Sequence, residues 1–430
     1  MTSRAIKIDA ALKALPEAAD LAPLREALLG MARANQGLGW ADSEAYATVD
    51  TRLADLAGAE ALVPELADGL RARAEEVMRH TLAALRAVAA ADYEEAARHL
   101  VAAGEVEERA RRLDEAERIY ERALELGRKP RNRRAEGLAL RRLGRIARTR
   151  GAWARAGRLY AQGYQVAQAQ RDVDGSIVAC QGLGNVAVDQ GRWDEARAWY
   201  LRGLELCPAE PASAEFVHLA NGMAVAERRR GDVDAAAEWL SLAREVAGAL
   251  GDDGLLGYLE NGWGMLELAR GTPQRAEAAF RHALERVLDP FARVTVTLNL
   301  SDALLRQGRL REAEAAAREA EALALHHRAI LDLPEAYRRL GAVAAARRDR
   351  EGFVFYEQAL EICREHHLPS FEAAVTQHQY GAFEAALGDT ESAAARLREA
   401  VRMYDEAGAA VESAAAAAEL ERLGEAYEPD

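Results

Sequence analysis

Lysine is almost absent from this chain of 430 residues: Lys7, Lys13 and Lys129 stand alone, and arginine supplies the rest of the 56 basic side chains. Cysteine is as scarce. Cys180, Cys207 and Cys363 are too few and too scattered for a disulfide framework, so each is expected as a small buried apolar residue in a reducing, cytoplasmic setting. No run of 18 apolar residues exists, and the leading MTSRAIKIDAALKAL lacks a secretory apolar core, so neither a membrane span nor a signal peptide is expected. The formal net charge is −14, which argues against a general nucleic-acid binder and against an anionic membrane surface. Strand formers are sparse, whereas alanine, leucine, arginine and glutamate dominate and favour helix nearly everywhere. An all-α protein is expected.

What is abundant is repetition. Gly151, Gly191, Gly231 and Gly271 lie 40 residues apart, and Gly308 follows after 37. Each ends one amphipathic stretch and opens another, as glycine does where a helix terminus needs positive φ before a tight turn. Asp194 and Asp232 are expected to start the following helices. Five residues after each glycine stands a small side chain (Ala156, Ala196, Ala236, Ala276, Ala313), and four further on, in most copies, a large one: Tyr160, Tyr200, Leu240, Phe280. Upstream of the turns lie Gly144, Gly184, Ala224 and Gly264. Small residues on both helices let an antiparallel pair approach closely while large ones fill the gaps. A lone hairpin cannot bury both apolar faces, so the hairpins must stack.

These residues resemble the tetratricopeptide repeat (TPR) family: Leu183-Gly184 with Ala196, Tyr200 and Pro208, then Trp263-Gly264 with Ala276, Phe280 and Ala283. Tyr337, Leu340 and Gly341 begin another copy, and Tyr380-Gly381 with Ala393 and Leu397 a further one. The period is about 40 residues against the family's usual 34 or so, implying longer helices, and one copy looks a residue short near Arg347–Glu351. The resemblance implies a right-handed α-solenoid of antiparallel helix hairpins, a TPR-like superhelix. Three regions follow: 1–91, a helical region of degenerate repeats or a cap with breaks at Pro16, Pro23, Gly37–Gly39 and Pro64; 92–410, about eight hairpins; and 411–430, a capping helix with Leu420, Leu423 and Tyr427 on one side.

The resemblance further implies an interaction scaffold whose first helices line a concave groove. By register the groove would present Arg141, Arg145, Arg148, Gln181, Asn185, Asn221, Arg228, Tyr258, Asn261, Asn299, Arg338 and His378 to a partner. Arg141, Arg145 and Arg148 sit at spacings of four and three on one helix side, in the most basic part of the chain. Their guanidinium forks suit carboxylates, so they read either as an anchor for an acidic segment or as a face paired with acids such as Glu105 and Glu108. Asn221 and Asn261 share one register, with Asn185 and Asn299 displaced from it. An asparagine amide both donates and accepts, so it can hold an extended peptide's backbone, as in the grooves of kinesin light chains and bacterial peptide sensors, or it can tie helices together.

Other features carry less. His326-His327 and His366-His367, with Cys363, lie at equivalent places on adjacent hairpins but show no fixed zinc spacing, so no metal is expected. Trp153, Trp193, Trp199 and Trp239 recur as packing residues. No phosphate loop, HExxH or GxSxG pattern is present, so neither an enzyme nor a cofactor is expected. The reading is a scaffold for a protein or peptide, with acidic character in the partner. Two alternatives stay open: a regulator related to the TPR regions of bacterial transcription regulators, and a self-assembling structural component. In the first, the acid-rich stretch 41–60 would repel DNA phosphates. The oligomeric state is left undetermined.

Overall fold

The computed structural model describes residues 92–424, apart from 129–132, 209–212, 328, 367 and 369, with isolated helical positions between 72 and 87. The expectations for residues 1–71, for His367 and for Tyr427 lie outside the described residues. Among the described residues there are seventeen α-helices, one 3-10 turn and no strand. The helices are α1 (Tyr93–Arg109), α2 (Leu113–Gly127), α3 (Arg134–Thr149), α4 (Trp153–Gln170), α5 (Val173–Asp189), α6 (Trp193–Leu206), α7 (Ala214–Arg230), α8 (Val233–Leu250) and α9 (Asp253–Ala269). They continue with α10 (Pro273–Arg286), α11 (Pro290–Arg306), α12 (Leu310–His326), α13 (Leu333–Ala346), α14 (Glu351–Glu365), α15 (Ser370–Ala386), α16 (Thr390–Ala407) and α17 (Ala410–Arg422). The chain divides into two compact units, residues 1–146 with 159–175, and residues 147–158 with 176–430. Each is described by itself.

The turn inside each hairpin follows one rule. Gly151, Gly191, Gly231, Gly271, Gly308 and Gly388 take positive φ there, and Arg111 and Arg348 do so in the other two hairpins at φ 58° and 53°. The αL residue is therefore required even where the sequence supplies no glycine, which hid these two copies from a search for Gly. Helix starts are capped at Asp92, which accepts from the Glu95 N–H, and, as expected, at Asp232, which accepts from that of Ala235. Asp194 behaves differently from its expected role. It lies inside the first turn of α6, whose cap position is Arg192, and its carboxylate stands 3.6 Å from Arg230. Three residues past the glycine is two positions too late to cap.

The hairpin core is a ring laid on a bare backbone. Tyr120 rests on Gly104, Tyr160 on Gly144, Tyr200 on Gly184, Phe280 on Gly264 and Tyr356 on Gly341; a Cβ at Gly341 would lie 2.7 Å from Tyr356 Cζ. Burying each ring contributes roughly 1.5–3 kcal/mol, available only because the facing residue has no side chain. In the α13–α14 hairpin the small and large positions, Gly352 and Tyr356, fall four and eight residues after the turn instead of five and nine. Helix α14 is a residue short there, as the spacing suggested.

A polar rule accompanies the apolar one. Three residues after the small position, Glu107, Glu227, Glu267 and Glu384 are buried, facing Arg112, Arg197 with Arg230, Arg270 and Arg396 respectively. Arginines also reach back one hairpin, two from the turns and one from within α16: Arg270 to Asp234 at 3.4 Å, Arg347 to Glu314 at 2.7 Å and Arg396 to Glu357 at 2.9 Å. Exposed pairs add little stability singly; their recurrence fixes how one hairpin seats on the next. At the far end α17 lays Leu420 on Ala394 and Leu397.

In the second unit, successive first helices touch directly: α7 on α9, α9 on α11, α11 on α13, and α13 on α15. Each second helix instead packs on the first helices flanking it in sequence. The more closely set row is the inner wall of that unit. Phe371 of α15 packs at a tilt of 59° against Trp153 with ring centroids 5.1 Å apart, and Val411 of α17 lies against Gly191, which brings the end of this stack back to its start.

Two substitutions test this packing. Ala276→Leu, at a fully buried crossing, is expected to cost about 1–3 kcal/mol by overpacking. Arg348→Gly, which relieves a left-handed non-glycine residue, is expected to raise stability by about 0.5–1 kcal/mol. Urea unfolding midpoints with unchanged slope would report both.

Candidate functional site

All twelve residues read from register sit on first helices: α3, α5, α7, α9, α11, α13 and α15. The structure sorts them by what already holds their polar atoms.

The arginine stripe of α3 meets acids of its own chain. Arg145 is bound by Glu108, which also accepts from the Tyr120 hydroxyl at 2.7 Å, and neighbouring Arg142 is bound by Glu105. Arg148 forms a two-bond pair with Asp189 at 2.5 and 3.1 Å. The face-paired-with-acids reading thus describes Arg145 and Arg148. Arg141 is buried, with Asp172 3.7 Å away. Arg338, named for the open groove, is instead sealed between α13 and α15, paired with Glu372 at 2.9 Å and donating to Thr376 Oγ1 at 3.2 Å. His378 lies 3.4 Å from both Glu419 and the Tyr404 hydroxyl. A position at first-helix register is therefore not automatically open, because a long side chain can turn sideways into the gap between hairpins.

The asparagines behave otherwise. Asn185 accepts from the Tyr200 hydroxyl at 2.7 Å inside its own hairpin, with Gln181 half-buried one turn earlier. Asn221 donates through Nδ2 to the Tyr258 hydroxyl at 2.7 Å, and Asn299 donates through Nδ2 to Asn261 Oδ1 at 2.9 Å. These bonds tie successive first helices together, yet they consume only half of each group. Asn221 Oδ1 is buried with no hydrogen-bond partner. Asn261 spends its carbonyl oxygen and keeps its amide N–H groups, while the Tyr258 hydroxyl accepts and keeps its proton. Tyr258 is 38 % exposed, so its end of this half-satisfied row is reachable, while Asn221 lies beneath the surface.

Arg228 completes the group. It lies two turns after Asn221 on α7, half-buried, and no carboxylate among the described residues pairs with it. Burial without an acid, with Arg229 beside it, pushes its pKa down to about 10. Asn221, Arg228, Tyr258 and Asn261, with Leu240 and Met265, line a cavity of about 80 Å³. His218 stacks edge-on against Tyr258 at 5.3 Å, and burial holds its pKa below the usual imidazole value. The site thus offers an unused buried acceptor, unused amide and hydroxyl donors, and an uncompensated cation. This constellation suits a group carrying both an N–H and a carboxylate.

Metal chemistry has no matching cluster: no group of three His, Cys, Asp or Glu side chains gathers among the described residues. Cys363 is buried, and burial raises its thiol pKa to about 12. Sequence reasoning missed the buried glutamates, although their spacing from the small residue was readable, and the Trp153–Phe371 contact, which no local spacing encodes.

Paired antiparallel helices stacked with a small-against-aromatic core make this a TPR-type repeat protein. No family model matches the chain and no curated protein matches it. Among solved structures it is similar to a Rap protein complexed with competence and sporulation factor, at 14% identity over 86% of this chain and 99% of that one, with a TM-score of 0.58. It is also similar to the Rap conjugation gene regulator of plasmid pLS20 in complex with the Phr* peptide (13% identity, 95% and 91% coverage, TM-score 0.48). A third is aspartyl phosphate phosphatase F from Bacillus subtilis (13% identity, 75% and 94% coverage, TM-score 0.45). At such identity the likeness is one of fold.

Replacing Arg228 by Met removes a desolvated, unpaired charge, so the variant is expected to be at least as stable as the wild type, by up to about 1 kcal/mol. A loss of stability on thermal unfolding would mean that Arg228 has an internal partner.

Proposed function

We propose that the protein is a non-enzymatic scaffold that holds an extended peptide or protein segment against the inner wall of its second unit. The observation that carries this reading is the buried, unpartnered Asn221 Oδ1 beside the unpaired Arg228. A buried acceptor without a donor costs about 1–3 kcal/mol, and a peptide N–H laid along α7 and α9 would remove that cost. Asn261 and Tyr258 would donate to the peptide's carbonyl groups, and Arg228 would take a carboxylate, either of an acidic side chain or of a chain terminus. The acidic character expected of the partner is thereby attached to Arg228, since Arg145 and Arg148 are already neutralised by Glu108 and Asp189. The Rap protein of similar fold, crystallised with competence and sporulation factor, supports the geometry of such a groove.

Selection from a displayed random-peptide library tests the proposal. Peptides enriched on the wild type are expected to carry a carboxylate and to lose about tenfold or more in affinity for Arg228→Met, roughly 1.4 kcal/mol. Asn221→Ala is expected to lose a similar amount with a stability change near 1 kcal/mol. Peptides that bind both variants as tightly as the wild type would place recognition elsewhere.

A further inference from the structure

Tyr200 fills a slot between two glycines. It rests on Gly184 in its own hairpin and on Gly222 of α7 in the next, where a Cβ would lie 2.6 Å from its Cε1. Its hydroxyl donates to Asn185 Oδ1 at 2.7 Å. Forty residues on, the same slot is built from other residues: Leu240 stands for Tyr200, Val225 for Asn185, Ala224 for Gly184 and Gly262 for Gly222. Leu240 keeps the seat, since a Cβ at Gly262 would lie 3.2 Å from its Cδ2. It has neither ring nor hydroxyl, and the room they take in the preceding hairpin is here the cavity of about 80 Å³, lined by Leu240, Ala224, Val225 and Gly262. The hydroxyl and its acceptor are missing together, so this void is apolar where Tyr200 is polar.

Leu240, Ala224 and Leu266 are buried and form the closed end, whereas Tyr258 is the exposed member of the wall and Arg228 is half-buried. The carboxylate-binding group thus stands toward the mouth. An acidic side chain carries its charge at the tip and would drive it into the apolar end, which desolvation opposes. The carboxylate and the group that enters the cavity are therefore different parts of a partner. An apolar cavity of about 150 Å³ admits benzene, so this one has room for roughly three or four carbon atoms. We infer that the cavity is a specificity pocket for one small aliphatic side chain, valine, isoleucine or leucine, on the segment whose carboxylate Arg228 binds. An aromatic ring is too large for it, and alanine leaves it mostly empty. The inference rests on the peptide reading and deepens it.

Peptides selected from a random display library on the full chain, then synthesised singly, test this. Sequencing is expected to show valine, isoleucine or leucine enriched at one fixed distance from the carboxylate. Changing that residue of a selected peptide to alanine, or to phenylalanine, should weaken binding about tenfold, read by fluorescence anisotropy. Ala224→Gly with Leu240→Phe rebuilds the pairing that Gly264 and Phe280 make in the next hairpin and fills the cavity. This double variant is expected to melt close to the wild type and to bind the selected peptide about tenfold more weakly. The peptide substitutions leave the protein unaltered, so they decide the matter even if the double variant misfolds. Three results overturn the inference and leave the peptide reading standing: peptides that depend on Arg228 without an aliphatic preference, unchanged affinity after alanine or phenylalanine replaces the aliphatic residue, or a folded double variant that binds as tightly as the wild type. If no peptide is enriched, both fall together.

Discussion

An aromatic ring seated on a side-chain-free backbone is the constraint from which the rest of this molecule follows. Tyr120, Tyr160, Tyr200, Phe280 and Tyr356 each press on a glycine of the preceding helix, and that close approach sets the separation within each hairpin. With the separation fixed, the turn has to reverse the chain in two to four residues. An αL residue then becomes obligatory even when it is Arg111 or Arg348. The buried glutamates and backward-reaching arginines act one level higher, seating one hairpin on the next. Stability in such a stack is a sum of hairpin and neighbour terms, without one central core.

Because close packing is concentrated between the helices of each pair, the inner wall of the second unit is free to be polar. Most of its polar groups are bound to one another. On α7, however, Asn221 Oδ1 has no donor and Arg228 no acid. Each is unfavourable in the isolated chain, and a single ligand bearing an N–H and a carboxylate satisfies both.

Much of the fold was legible because the repeat writes its packing into spacing: Gly184 against Tyr200 and Gly264 against Phe280 could be paired from the sequence alone. Even the shortened α14 announced itself as a one-residue slip. The turns at Arg111 and Arg348 were hidden because φ is dictated by the surroundings and not by the residue type. The site was legible only as a set of positions. Register placed Arg145, Arg228 and Arg338 on equivalent faces, but register does not say which has an acid nearby. Glu108 lies 37 residues before Arg145 and Glu372 lies 34 after Arg338, and only the stacking brings them together. Asp194 shows the same limit at short range, since two positions along the chain separate a cap from a member of the first turn.

The central claim is that the unpaired groups of α7 and α9 are completed by a bound chain. A crystal structure of the protein with a peptide selected on it tests this most directly. The account predicts a peptide N–H within hydrogen-bond distance of Asn221 Oδ1 and a peptide carboxylate on the Arg228 guanidinium. A peptide seated on the second helices, with Asn221 Oδ1 still unpartnered and Arg228 still free, would contradict it.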